Sequence, residues 1–299
     1  MPFSRNGNAK FGVLIGISIT YLFSIMGNVI IALLVCLVEQ LHSPMYFFLC
    51  SLSVQDTMHV TNIQPKLLAI LITGDTRISL SGCITQVFLF VLCLNFEFLL
   101  LTSMAYDRFA AICKPLHYNI IMNKTTCRLM TSTCWFASAL NALIYSLIVS
   151  SLSFCKSHDI NHFFCEVKAM LTLSCTDTTY IFRLIYAESI LLGMFPFLLI
   201  VISYIFIISS IMKIRTSRGR LKTFSSCSSH ITTVILYCGS SIGSYLKTES
   251  VQSPQQNELI AMLYIILVPM LNPIVYSLRN KEVLKAMKSL TKGHGSLPT

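Results

Sequence analysis

The stretch MAYDRFAAICKPLHY, from Met104 to Tyr118, places an acid and a base next to each other at the end of a long apolar segment. The preceding residues, VFLFVLCLNFEFLLLTS, contain Glu97 as their only charged side chain. A segment of this kind is long enough to cross the roughly 30 Å hydrocarbon layer of a bilayer as a helix. Asp107 and Arg108 would then stand where such a helix leaves the membrane, which makes them candidates for a functional pair at the membrane surface.

The composition indicates a membrane protein rather than a soluble domain. Of the 299 residues, 54% are hydrophobic and only 11% are charged, whereas roughly 25% are charged in soluble domains. The stretch before residue 11 is short and polar, and the first apolar run is longer than the core of a cleaved signal peptide. We therefore expect that run to remain in the protein as a membrane anchor.

Seven apolar segments are predicted to cross the membrane, so the expected fold is an all-α bundle of seven transmembrane helices in a single domain, 1–299. The segments are 11–38, 44–73, 82–113, 128–152, 180–214, 222–247 and 258–278. The stretch 280–290 is too short and too polar to span the membrane. Its Val283, Leu284 and Met287 share one helical face, which predicts a short helix lying at the membrane interface.

The distribution of basic residues predicts the orientation of the bundle. Of the 22 Lys and Arg residues, 14 fall on the side of the membrane that carries Arg108 and 8 on the other. Cytoplasmic loops are enriched in Lys and Arg, so we expect an extracellular N-terminus and a cytoplasmic C-terminus. The net charge of +10 therefore reflects membrane topology and contact with lipid, and a nucleic-acid partner is not expected.

Four cysteines fall on the extracellular side of this topology: Cys83, Cys155, Cys165 and Cys175. Because that compartment is oxidising, we expect them to form disulfides, for which three pairings are possible. Their spacing contains no CxxC pattern, so a zinc site is not expected.

Several polar side chains lie inside the predicted spans, where an ionisable group is costly and therefore a candidate functional residue. They are Asn28, Asp56, Glu97, Glu188 and Asn272. Two carboxylates and two amides at one depth could share a proton or hold a sodium ion. The alternative is a hydrogen-bonded cluster that only fixes helix packing.

Prolines interrupt two spans, at Pro196, Pro269 and Pro273. Such breaks occur in transporters and channels, where they expose backbone to an ion, and in receptors, where they let a helix end move. Transporters usually show paired breaks in two repeated halves, and this sequence has no such symmetry. On the receptor interpretation, Asp107 and Arg108 form a latch that opens when a partner supplies other acceptors; the alternative is a pair of anchors at a helix end.

Several motifs occur in order along nearly the whole chain, and together they resemble the olfactory receptors, a branch of the rhodopsin-like G-protein-coupled receptors. They are GN at 27–28, LHSPMYFFLCSLSVQD at 41–56, MAYDRFAAICKPLHY, SY at 203–204, KTFSSCSSH at 222–230 and PMLNPIVYSLRN at 269–280. One departure is Phe109, where the family usually has a tyrosine. Another is the only Asn-x-Ser/Thr sequon, at Asn123, which the topology places in the cytoplasm, where it should stay unmodified.

The resemblance assigns expected roles to individual residues. The residues of the G-protein switch would be Asp107, Arg108, Tyr204, Asn272, Pro273 and Tyr276. The internal polar region, with a possible sodium ion at Asp56 and Glu97, would also include Asn28. The expected disulfides are Cys83–Cys165 and Cys155–Cys175. The ligand site would lie in the outer half of the bundle and include Phe90, Val91, Leu94, Asn95, Glu188, Leu192 and Tyr245.

The function implied is that of an odorant receptor at the plasma membrane, which binds a small-molecule odorant and activates a heterotrimeric stimulatory G protein, raising cyclic AMP. An alternative is a related receptor for a non-odorant ligand outside the nose. An enzyme is not supported, because His162 and His230 are isolated histidines, and no cofactor is expected. For Glu188 two interpretations remain open: it accepts a hydrogen bond from ligand, opposite Tyr245, or it pairs with Arg183 or with lipid headgroups.

Overall fold

The chain forms long helices that follow the predicted spans. The structure, a computed structural model, describes residues 7–155, 159–160, 162–245, 265–275 and 283–287. The helices are α1 (Gly7–Leu37), α2 (Pro44–Thr73), α3 (Leu80–Cys113), α4 (Lys124–Ser150), α5 (Thr179–Met212), α6 (Ser217–Tyr245) and α7 (Ile265–Val275). Within the described ranges, the only β pairing is an isolated bridge between Phe154 and Ser174.

The helix ends are set by local signals that hydropathy does not register. α4 begins at Lys124 rather than at 128, because the Asn123 side chain caps it by accepting a hydrogen bond of 2.9 Å from the Thr126 backbone N–H. α6 begins at Ser217 rather than at 222, since its first turns are basic but still helical. α2 ends at Gly74, whose φ of 76° is a left-handed helix cap.

The helices differ in how apolar they are. α1, α3, α4 and α5 are long and apolar enough to cross a membrane by length and composition, and the described part of α7 is a shorter apolar helix. α2 is more polar because it buries Gln55, Asp56, His59 and Gln64 inside the bundle. A helix that turns polar groups inward needs fewer apolar residues than one that faces lipid, which is why a hydropathy scale rates α2 lower.

α5 contains the break that Pro196 predicts. Residues Ser189–Met194 form a π-helical segment, directly before the α-helical continuation that begins at Phe195. Proline has no backbone N–H, so the normal bond to the carbonyl four residues earlier is missing and the helix is widened there. Glu188 is the last residue before this segment.

α3 is the central helix and contacts α2, α4, α5 and α6. Its Phe96 ring stacks on Trp135 of α4 with ring centroids 4.0 Å apart, and Leu100 and Leu101 are completely buried. Because α3 runs through the core from end to end, it can carry a displacement at one end to the other.

One end of the bundle is closed by a disulfide-linked loop, and we call it the disulfide end. The bonds Cys83–Cys165 and Cys155–Cys175 are both present. Cys83 lies in the first turn of α3, so its bond holds the loop before α5 against that helix. The loop is also held by the Cys165 backbone N–H, which donates a hydrogen bond of 2.8 Å to the Gln86 side chain. We call the opposite end, where α3 finishes, the Arg108 end.

α1 and α7 approach closely at Gly27. A Cβ atom at this position would lie 2.9 Å from Cβ of Pro273, so only glycine allows the contact without a shift. The adjacent Asn28 donates hydrogen bonds to the carbonyls of Ser24, at 3.0 Å, and Pro269, at 3.2 Å. The GN motif therefore joins α1 to α7, and Asn28 does not reach the Asp56 carboxylate as the sequence suggested.

The predicted interfacial helix 280–290 is described only over 283–287, which are helical. Val283 and Ala286 are buried against the core, whereas Met287 is exposed. The apolar face is therefore rotated from the predicted one, because the small Ala286 allows close packing that a hydropathy pattern does not favour.

Candidate ligand and signalling site

At the Arg108 end, Asp107 is bonded to a tyrosine rather than to its neighbour. Tyr118, in a short helix after α3, donates a hydrogen bond of 2.7 Å to Asp107 Oδ1. Within the described ranges no ion pair of 4.0 Å or less joins Asp107 to Arg108. The Arg108 Nη2 atom is buried and has no hydrogen-bond partner among the residues that the structure describes. In this structure the expected latch is therefore open, and Arg108 is available to another acceptor.

His230 connects α6 to α3 and α5, a role that the sequence analysis missed. Its Nε2 lies 3.0 Å from the Leu101 carbonyl oxygen, and its Nδ1 lies 2.8 Å from the Tyr204 hydroxyl. A carbonyl can only accept, so Nε2 carries the proton and Tyr204 donates to Nδ1. The signal available in the sequence was that His230 falls within the KTFSSCSSH motif near the middle of a predicted span, where an unbonded imidazole is costly.

A second polar centre lies between α2, α3 and α7. Asn272 donates a hydrogen bond of 2.9 Å to Asp56 Oδ2, and the Asn272 and Gln55 side chains border Glu97. One oxygen each of Gln55, Asp56 and Glu97 is buried and has no hydrogen-bond partner in the described chain. Gln55 was missed in the sequence because a single amide in a polar helix gives no distinct signal.

These unpaired oxygens fit a sodium ion chemically, since hard cations bind carboxylate and amide oxygens. The described residues contain no group of three or more His, Cys, Asp or Glu that could hold a metal. A sodium ion would therefore need the amide oxygen of Gln55 in addition to Asp56 and Glu97. Asn28 would not contribute, because its side chain bonds α1 to α7.

Nearer the disulfide end, Glu188 joins three helices. Its carboxylate accepts hydrogen bonds from Asn95 of α3, at 3.4 Å, and from Asn141 and Tyr145 of α4. Arg183 is exposed, and no ion pair with Glu188 is present in the described residues. The structure thus points the carboxylate toward α4, an arrangement that neither sequence interpretation included; Asn141 and Tyr145 were missed because α4 carries no charge there.

The other predicted ligand residues differ in how far they are buried and in where they lie in the described structure. Phe90 and Leu94 are partly exposed on one face of α3, while Val91 and Asn95 are buried on the next. Leu192 lies in the π-helical segment and lines a groove with Leu99 and other residues of α3, α4 and α5. The side chain of Tyr245 and the whole of Tyr276 lie outside the described residues.

Tyr237 forms the inner boundary of the Phe90–Leu94 face. It is fully buried and donates a hydrogen bond of 2.7 Å to the Leu94 carbonyl. The Phe98 ring packs edge-on against it at 4.5 Å. With the His230–Leu101 bond, this contact joins α6 to α3 at two successive levels.

A bundle of apolar helices with a disulfide-held loop at one end and an Asp-Arg pair at the other is the architecture of a seven-transmembrane receptor. Comparison with known families specifies which one. The family model described as "Olfactory receptor" matches residues 17–292. The chain belongs to the olfactory receptor family of G-protein-coupled receptors, which are multi-pass membrane proteins and not enzymes.

Individual relatives agree with this assignment over most of their length. Human "Olfactory receptor 2M4" is 40% identical over 282 residues, covering 94% of this chain and 90% of the relative. Gorilla "Olfactory receptor 1G1" is 42% identical over 270 residues, covering 90% and 86%. Mouse "Olfactory receptor 5AR1" is 43% identical over 272 residues, covering 91% and 88%. The predicted family and all-α fold class are therefore confirmed.

Proposed function

We propose that this chain is an odorant receptor that binds small, mostly apolar molecules near the disulfide end and activates a stimulatory olfactory-type G protein, raising cyclic AMP. The disulfide end would face the outside, where cysteines are oxidised, and the Arg108 end the cytoplasm. The excess of basic residues on the Arg108 side supports this orientation.

The observation that carries the proposal is the state of Arg108. One buried nitrogen of its guanidinium group has no partner in the described chain, while Tyr118 holds the neighbouring carboxylate. A buried cationic donor without an acceptor is costly, and a partner protein that inserts backbone or carboxylate oxygens here would relieve that cost. The G protein is the partner that the family implies.

The ligand would act through α3 and α6. The proposed ligand residues are Phe90, Val91, Leu94, Asn95, Glu188, Leu192 and Tyr245, of which Glu188 would act mainly by holding α4 and α5 in place. A ligand that moves Leu94 also moves the carbonyl to which Tyr237 is bonded. Two turns further along each helix, the His230–Leu101 bond would then be shifted, and Tyr204, Asn272, Pro273 and Tyr276 would complete the switch.

Asp56 and Glu97 would hold a sodium ion with Gln55, and the ion would supply the positive charge that two buried carboxylates lack. The Asn272 hydrogen bond occupies Oδ2 of Asp56 and leaves Oδ1 without a partner in the described chain. Sodium bound here would bridge α2 and α3 and so oppose a change in their spacing.

The test is a cyclic AMP assay in cells that express the full chain, with surface expression measured by antibody. A broad panel of small volatile molecules is applied to these cells and to matched cells that lack the stimulatory α subunit. We expect at least one compound to raise cyclic AMP only where the subunit is present. No response to any compound, or accumulation of compound inside the cells without cyclic AMP, would contradict the proposal and favour a different class of membrane protein.

A further inference from the structure

His59 is a buried histidine that the arrangement above leaves unused. It lies one turn beyond Asp56 on α2, toward the disulfide end, and its side chain is 2% exposed. Neither Nδ1 nor Nε2 has a hydrogen-bond partner in the part of the chain that the structure describes. His230 is equally buried, but both of its nitrogens are bonded. A buried polar group without a partner is destabilising. The contrast with His230 therefore indicates that the hydrogen-bond partner of His59 comes from a molecule other than this chain.

The surroundings of His59 connect it to the proposed ligand site. The Phe90 ring of α3 lies edge-on to the imidazole, with centroids 5.8 Å apart and planes at 89°. Phe164, in the loop held by the Cys83–Cys165 bond, lies 5.0 Å from Phe90. His162 continues this aromatic layer with an edge-on contact of 4.6 Å to Phe164. These ring contacts connect His59, through Phe90, to the loop that the Cys83–Cys165 bond holds.

The face of α3 beside the layer is not completely buried. Phe90 remains partly exposed, and so does Leu94 one turn further along the same face of α3, although α3 is the central helix. A rotation of the Phe90 ring would expose the imidazole, since its ring contacts with His59 and Phe164 are individually weak.

We propose that His59 is a specificity-determining residue of the ligand site, forming a hydrogen bond with the hydroxyl or carbonyl oxygen of an otherwise apolar ligand that lies against Phe90 and Phe164. A neutral imidazole has one N–H donor and one acceptor nitrogen, so it suits alcohols, which can donate or accept, and aldehydes or ketones, which accept. The inference rests on the proposed function and extends the ligand site to α2, beyond the α3, α5 and α6 residues assigned to it above.

The first experiment measures access to position 59 without a known ligand. Purified full-length His59→Cys receptor is treated with methyl methanethiosulfonate, a small uncharged thiol reagent, and adducts are counted by intact mass against the unsubstituted receptor. Leu94→Cys is the control expected to react. Leu52→Cys, two turns nearer the Arg108 end and completely buried, is the control expected not to react.

One additional adduct on His59→Cys and on Leu94→Cys, but none on Leu52→Cys, is expected. Absence of reaction at position 59 would overturn the proposal, whether or not position 94 reacts. Equal reaction at position 52 would also overturn it, because the reagent would then be reaching the packed core rather than a ligand site.

The second experiment measures the hydrogen bond itself. Wild type, His59→Phe and His59→Gln are compared for cyclic AMP responses to octane, 1-octanol and octanal, and to toluene, benzyl alcohol and benzaldehyde, at matched surface expression. Phe keeps a ring of similar size but has no hydrogen-bonding group, whereas Gln keeps both a donor and an acceptor. We expect His59→Phe to lose about tenfold in potency toward the active oxygenated compounds, and His59→Gln to lose less.

Equal potency of wild type and His59→Phe would overturn the role of His59. A wild-type response to octane or toluene as strong as to their oxygenated partners, or no response to any of the six, would overturn the ligand class. Failure of the proposed function would be a separate result, namely that no compound in the broad panel raises cyclic AMP. The labelling experiment does not depend on that outcome, because it measures access to position 59 directly.

Discussion

At the level of single residues, the state of Arg108 depends on what holds Asp107. Asp107 is almost completely buried, and the Tyr118 hydroxyl is its hydrogen-bond donor. Burial, together with the nearby Asp107 carboxylate, raises the pKa of Tyr118, so the hydroxyl stays protonated and able to donate at physiological pH. An Asp-Arg dipeptide can form an ion pair within itself. Here the Asp107 carboxylate instead accepts a hydrogen bond from Tyr118, eleven positions later in the chain.

The first prediction follows from this arrangement. In Tyr118→Phe the Asp107 carboxylate loses its donor and turns to Arg108, which lowers the maximal agonist-stimulated cyclic AMP response several-fold. Arg108→Ala, which removes the guanidinium, is expected to abolish the response. Tyr106→Phe is the matched control, because Tyr106 lies one residue before Asp107 but is exposed. A normal response from well-expressed Tyr118→Phe would show that Tyr118 does not set the state of Arg108.

A second prediction concerns the buried carboxylates. If Asp56 and Glu97 hold sodium, replacing sodium by a large organic cation should raise agonist potency in the wild type, since the ion opposes the change in helix spacing. Asp56→Asn keeps the shape of the side chain but removes the charge. Agonist potency at this variant should therefore no longer depend on sodium. Asp177→Asn, at an exposed loop position, should retain the dependence. Sodium dependence that persists in Asp56→Asn would place the ion elsewhere.

At the level of helices, Glu188 shows how a polar residue can join elements that are apolar elsewhere. Its carboxylate accepts from one residue of α3 and two of α4, directly before the π-helical segment of α5. The π-helical segment Ser189–Met194 interrupts the regular hydrogen bonding of α5. The three hydrogen bonds of Glu188 attach the part of α5 before this segment to α3 and α4. This explains why Glu188 is tolerated in a membrane span.

The third prediction tests this helix junction. Glu188→Leu leaves the donors on Asn95, Asn141 and Tyr145 without their acceptor, at a cost of roughly 1–3 kcal/mol for each group that cannot find another partner. Glu188→Gln retains an acceptor oxygen and should lose less. Thermal unfolding of purified receptor in detergent measures the difference, with exposed Glu39→Gln as the control. Equal melting temperatures for wild type and Glu188→Leu would exclude a stabilising junction, and a potency change alone would then favour direct ligand contact.

Sequence patterns predicted the helices and most of the polar residues, but not which polar residues meet. Hydropathy indicated where the long helices lie, because a bilayer requires long apolar segments, while caps such as Asn123 fixed helix ends several residues away from the predicted ones. Asp56 and Asn272 were predicted to share one level, and they do meet. Asn28 was expected there as well, but it bonds to backbone carbonyls, because rotation about the helix axis cannot be read from depth alone.

The residues that were missed share a physical cause. Tyr118, Asn141, Tyr145 and His230 are single polar residues whose hydrogen-bond partners lie on other elements, so the sequence does not show which residue each of them meets. His59 was missed as well, although its side chain has no hydrogen-bond partner within the described residues. The proposed ligand contact of His59 can be inferred only when its burial and the absence of a hydrogen-bond partner in the described structure are considered together.

At the level of the whole molecule, the two disulfides constrain the chain over very different distances. Cys83–Cys165 joins residues 82 positions apart and attaches the loop to α3, whereas Cys155–Cys175 closes a loop with a separation of 20 within one connection. In the chain-entropy model these separations correspond to stabilisation of about 4.5 and about 3 kcal/mol. The first bond also holds the loop whose Phe164 contacts Phe90, so it would organise the proposed ligand site as well as the fold.

The last prediction separates these two roles. Removing the first bond with Cys83→Ser and Cys165→Ser should reduce both surface expression and agonist potency, because the loop and Phe164 are released from α3. Removing the second with Cys155→Ser and Cys175→Ser should lower thermal stability while potency changes less, since the loop remains attached through Cys165. Peptide mapping of the wild type under non-reducing conditions provides the control for the pairing itself. A peptide in which Cys155 is linked to Cys165 would show that the cysteines are paired differently. A larger potency loss from removing the second bond than from removing the first would show that the position of Phe164 does not depend on the bond to α3.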